Sequence, residues 1–159
     1  MNTQVDTGAA QTLSRMSPSR VKSLRRGNFS AFLLLLIQYG IGMYVSLYVT
    51  VPAADNGKGL GKAIGNGPAL LTIHILLGLL LIVSAIGVLV QAVLARHPVL
   101  ITVAVIGLIS MIGAAFEGSS FVSSGHDGAS LGMAILTAVA LLCYGGSLYL
   151  LAAPRRPGQ

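Results

Sequence analysis

The chain has 159 residues, 54% of them hydrophobic and 9% charged, which excludes an ordinary soluble globular domain and points to the bilayer. Its net charge of +6 comes from ten basic residues scattered between apolar runs rather than along one stripe, so nucleic-acid binding is not expected. The single cysteine, Cys143, allows no internal disulfide and no cysteine metal cluster, and reads as a small apolar packing residue.

Residues 1–28 are polar and carry Arg15, Arg20, Lys22, Arg25 and Arg26 against one acid, Asp6. Such a stretch buries too little apolar surface to fold alone, which predicts a disordered basic cytoplasmic segment. Phe29 lies one position too far from Arg25-Arg26 for a twin-arginine signal, and the following apolar run exceeds a secretory h-region of about 7–15 residues. The segment therefore reads as a cytoplasmic anchor.

Residues 29–51 contain no charge and meet the length of about 20 residues that a bilayer-crossing helix needs. Gln38, Gly40 and Gly42 interrupt the apolar surface where a neighbouring helix is expected, and Tyr44 and Tyr48 fall at the far interface. The glycine-rich connection 52–67 includes Gly57-Lys58-Gly59-Leu60-Gly61-Lys62, which lacks the spacing and the Ser or Thr of a phosphate loop and reads as an outer loop.

The second span, 68–93, opens on Pro68, a residue suited to a first helical turn, and holds His74. The short turn Ala95-Arg96-His97-Pro98 makes the second and third spans antiparallel neighbours, with His97 expected as a solvated turn residue. The third span, 99–116, has small residues at Ser110 and Ala114, and Glu117 is expected at the hydrated outer rim. An outer loop, 118–128, holds His126 and Asp127; a fourth span, 129–153, and a basic cytoplasmic tail, 154–159, complete the chain.

Arg15, Arg20, Lys22, Arg25, Arg26, Arg96, Arg155 and Arg156 fall on one side of this arrangement and only Lys58 and Lys62 on the other, which places both termini in the cytoplasm. The fold class is thus all-α, an integral membrane antiparallel four-helix bundle, with the lipid bilayer as its first partner; the style of the sequence leads us to expect a bacterial cytoplasmic (inner) membrane.

His74 is the candidate site residue, because an intramembrane ionisable side chain is by default a functional hypothesis. It lies six residues past Pro68, roughly 9 Å deep at the helical rise. Tyr44, Ser110, Met111 and Met133 are expected at similar depth. Gln38, counted from Val51, falls deeper and is not expected to bond the imidazole. Three roles stay open for His74: a structural histidine bonded to Tyr44 or a backbone carbonyl, an axial ligand of haem with Met133 or His126 opposite, and proton or metal handling. A zinc site would require His74, His126 and outer-loop carboxylates to converge.

The stretch Ile37-Gln38-Tyr39-Gly40-Ile41-Gly42, with His74-Ile75-Leu76-Leu77-Gly78-Leu79-Leu80, resembles the first helix pair of one four-helix half of the haem A synthase family. That resemblance implies a b-type haem near the outer face, held by histidines of the second and fourth helices. His74 matches the first position. The fourth helix has no histidine between Leu131 and Leu142, and the glutamate that the family carries before its second-helix histidine has no counterpart in 68–73. The run from Ala114-Ala115-Phe116-Glu117-Gly118-Ser119-Ser120-Phe121 through Asp127-Gly128-Ala129-Ser130-Leu131-Gly132-Met133-Ala134 resembles small bacterial four-span membrane proteins. The alternative to a haem module is a non-enzymatic accessory subunit packing on a larger membrane complex or on copies of itself.

Overall fold

The computed structural model describes residues 18–48, 65, 67–124 and 127–152. Four helices follow one another: α1 (Pro18–Tyr48), α2 (Ala69–Leu94), α3 (Pro98–Ser124) and α4 (Asp127–Ala152). All four are long and apolar enough to cross a membrane. Lipid offers no partner for a backbone N–H or C=O, so a spanning segment must satisfy them internally, and helices do so.

The helices form a ring in which α1 packs on α2 and α4, and α3 packs on α2 and α4. Neighbours run antiparallel. Only 17% to 28% of each span's most apolar window is buried inside the protein, so most of the apolar surface faces outward, where lipid covers it. Leu80, Val83, Ile109 and Leu142 belong to that outer face. Inside, Leu24, Ala92, Leu100, Ala104 and Leu151 pack at one end, Leu35, Leu81, Ala85, Met111, Ala140 and Tyr144 in the middle, and Val45, Leu71 and Val122 at the other end. The alanines let backbones approach, which matters where packing rather than water exclusion holds helices together. Below, the inner end is the one with the first turn of α1, the last turn of α4 and the α2–α3 turn.

The first helix departs from expectation. Residues 18–28, expected to be disordered, continue the span as its first three turns. Val21 and Leu24 lie on the same face as Asn28 and Ala31 at helical spacing, and that face is buried against α2, α3 and α4. Arg20 donates from Nη1 to the Leu94 carbonyl at 3.0 Å, filling one of the acceptors left open at the end of α2. Ser23 bonds Gln91 at 3.1 Å. Basic and polar residues thus hold the inner end together as a helix. Residues 1–17 and the tail 153–159 lie outside the described residues.

The third helix is also longer than the apolar run. It continues through Glu117 to Ser124, leaving almost nothing of the outer loop expected at 118–128. Two glycines let this extension pack on α4: Gly118 faces the Met133 sulfur, and Gly132 faces the Glu117 side chain, whose Cδ would stand 3.1 Å from an added Cβ. Glu117 is therefore a half-buried helix residue packed on α4, not a rim residue.

His97 is 1% exposed instead of solvated. Arg96 adopts φ 53, a left-handed conformation that reverses the chain under the bundle, and the Arg96 and Ala95 N–H groups donate to Val93 and Gln91 carbonyls. His97 Nδ1 then accepts the free Leu100 N–H of the first α3 turn at 3.3 Å, acting as a cap.

Candidate functional site

The site begins with two glycines. Gly42 on α1 lies opposite His74 on α2, and a Cβ built on Gly42 would stand 2.9 Å from His74 Cε1. Gly78, one turn below His74, faces Gln38, and a Cβ there would stand 3.1 Å from the amide Nε2. Each glycine opens room for the polar side chain of the other helix.

Gln38 and His74 are in direct contact, contrary to the expectation that the amide lies too deep. Gln38 Nε2 donates to the His74 carbonyl at 2.9 Å and lies 3.4 Å from the ring Nε2. The antiparallel register explains the error in depth. Gly42 is level with His74, so Gln38 is one turn lower, about 6 Å, which the reach of a glutamine and the inward-pointing carbonyl of His74 close together.

The amide orientation fixes the histidine tautomer. An amide oxygen cannot face the His74 carbonyl, so the nitrogen occupies that place and supplies its second proton toward the ring. Ring Nε2 is then the acceptor of a long hydrogen bond, and the imidazole proton resides on Nδ1. Among the described residues, neither the Nδ1–H of His74, a donor, nor Oε1 of Gln38, an acceptor, has a hydrogen-bond partner, and both atoms are buried.

Both residues line a cavity of about 140 Å³ in the outer half of the bundle. Its walls are mainly apolar, with Leu35, Ile75, Leu81, Met111, Ala134 and Met133 among them. Ser46, Ser119, Ser130 and Thr137 add hydroxyls. Ser46 and Ser130 bond each other at 2.5 Å and tie α1 to α4, while Thr137 donates back to the Met133 carbonyl. The lining runs out to the exposed Tyr39, Met43 and Leu79, so the cavity opens toward lipid.

Of the residues singled out in the sequence, His74, Met133 and Met111 share this cavity. Tyr44 does not: it is 54% exposed and its ring lies 4.9 Å from that of Tyr48 on the outer surface. It is not the hydrogen-bond partner of His74; the neighbouring group is Gln38. Ser110 is buried but does not line the cavity. His126 lies outside the described residues. Among the described residues, no three His, Cys, Asp or Glu side chains converge as a metal site would require. Sequence reasoning set Gln38 aside as too deep and did not single out Ser46 and Ser130; for Gln38 the available signal was the pair Gly42 and Gly78, each marking a place where a facing side chain needs space.

The fold and site define a small multi-pass membrane protein with a mainly apolar cavity, carrying a few polar side chains, inside one half of its helix bundle. No family model matches the chain, and it matches no curated protein and no solved structure.

Proposed function

We propose that this bundle is a membrane-embedded binding protein for a small apolar molecule that carries a hydroxyl, of the size of a single phenol or hydroquinone ring. The observation that carries the reading is the pair of buried atoms without a partner among the described residues, His74 Nδ1–H and Gln38 Oε1, on two side chains that line one mainly apolar cavity. Leaving such atoms unmade costs about 1–3 kcal/mol each, and a hydroxyl both accepts and donates, so it relieves a donor and an acceptor together. Size supports a single ring: an apolar cavity of about 150 Å³ takes up benzene.

Haem at His74 fits these residues poorly. The ring nitrogen that commonly ligates, Nε2, faces Gln38. The cavity is smaller than the roughly 300–1,000 Å³ that houses drug-sized ligands, and a porphyrin is no smaller than those. His74 is better explained as a hydrogen-bond donor to a ligand than as an axial ligand.

The test uses the full chain in phosphatidylcholine nanodiscs, titrated with p-cresol, 4-methylanisole and toluene and followed by ligand-observed NMR. p-Cresol is expected to bind saturably and at least about tenfold tighter than the other two, which lack the donating hydroxyl. Filling the cavity with Ala134→Leu is expected to abolish all three. Absence of saturable binding by every probe, or a Soret band in protein purified from haem-replete cells, overturns the reading.

A further inference from the structure

A second site lies at the opposite end of the bundle. Lys22, Arg25 and Arg26 occupy one face of the first turns of α1, and together with Phe29 they border a groove whose other wall is Leu148, Tyr149 and Ala152 of α4. The groove measures about 550 Å³. All three basic side chains are exposed, and both described acids, Glu117 and Asp127, belong to the outer halves of α3 and α4.

Three like charges at i, i+3 and i+4 repel one another on a helix, and nothing anionic nearby among the described residues relieves them. Arg20, by contrast, is engaged with the Leu94 carbonyl. The groove joins this positive cluster to an apolar, aromatic wall, since Phe29 and Tyr149 are 57% and 78% exposed. Positive charge level with the headgroups, continuous with apolar surface level with the acyl chains, matches an anionic phospholipid and not a free anion, which would use only the cations.

We propose that this groove is a binding site for an anionic phospholipid, its phosphate held by Lys22, Arg25 and Arg26 and one acyl chain laid along Phe29, Leu148 and Tyr149. The site is independent of the outer cavity and of its ligand. Arginine suits the role because its planar fork grips phosphate oxygens in pairs, whereas Lys22 contributes a point charge.

The experiment places the full chain in nanodiscs of phosphatidylcholine and phosphatidylglycerol in equal parts and measures, by native mass spectrometry, which lipids remain bound as the disc is stripped. The native chain is expected to retain phosphatidylglycerol selectively. Lys22→Gln, Arg25→Gln and Arg26→Gln are each expected to lower that selectivity about fivefold, and together to remove it. The single variants keep the test open if the triple variant does not fold. A control with Arg96→Gln removes one cation from the α2–α3 turn, which does not border the groove, and is expected to keep the preference; a loss equal to that of a single groove variant means bulk charge and overturns the proposal. Equal retention of the two lipids by the native chain overturns it also, as does displacement of phosphatidylglycerol by millimolar inorganic phosphate.

Discussion

Gly42 lies so close to His74 that one added methyl group at the glycine would stand 2.9 Å from the imidazole Cε1. The contact makes a backbone position on α1 the wall that fixes the ring of α2.

Gly42→Ala is therefore expected to destabilise the protein by about 1–3 kcal/mol and to weaken p-cresol binding, because the ring has to leave its place beside Gln38. Gly40, two residues earlier, has open space around it, so Gly40→Ala is expected to be neutral or to stabilise by up to about 1 kcal/mol through helix propensity. Thermal unfolding of the two variants in the same detergent checks both statements. Equal effects at the two positions would mean that the ring is not held against Gly42.

The tautomer is directly measurable. In the native chain the imidazole ¹⁵N shifts are expected to report a protonated Nδ1 and an unprotonated Nε2. Gln38→Leu removes the amide that donates to Nε2 and to the His74 carbonyl, and is expected to shift the ring toward a mixture of tautomers at a cost of about 0.5–1.5 kcal/mol. A native spectrum with the proton on Nε2 would contradict the arrangement of Gln38.

Tyr144 is 1% exposed, and its buried hydroxyl has no hydrogen-bond partner among the described residues. Tyr144→Phe keeps the ring against Gly107 and removes the unmet hydroxyl, so it is expected to raise the unfolding midpoint, by an amount equivalent to about 1 kcal/mol. A lowered midpoint would show that the hydroxyl has a partner that contributes to folding.

Leu24 lies in a stretch whose composition predicts disorder, yet it is 2% exposed against Ala92, Leu100 and Leu151. Leu24→Ala is expected to cost about 2 kcal/mol or more, whereas Phe29→Ala, at an exposed position, is expected to change folding by less than about 0.5 kcal/mol. Denaturation in mixed micelles distinguishes the two.

The four spans were legible because a bilayer requires long uncharged helices, and 29–51, 68–93, 99–116 and 129–153 announce themselves by the absence of charge. The extensions were not. Arg20 and Ser23 look like loop residues until α2 supplies Leu94 and Gln91 as partners, and Glu117 looks like a rim residue until Gly132 makes room for it. His74 was identifiable as an ionisable group inside an apolar run, but its partner depended on the register of α1 against α2. The long connection between those helices carries no rule for that register. The short turn at Ala95 to His97 did fix α2 against α3, although the burial of His97 follows from the left-handed Arg96, which the residue type does not announce.

The mouth of the outer cavity, bordered by Tyr39, Met43 and Leu79, has a consequence for how occupancy scales. A molecule reaching His74 by that route travels in the plane of the leaflet and never as a free solute in water. Occupancy then follows the ratio of ligand to lipid, and adding empty membrane at constant total ligand empties the protein just as dilution empties a water-facing site.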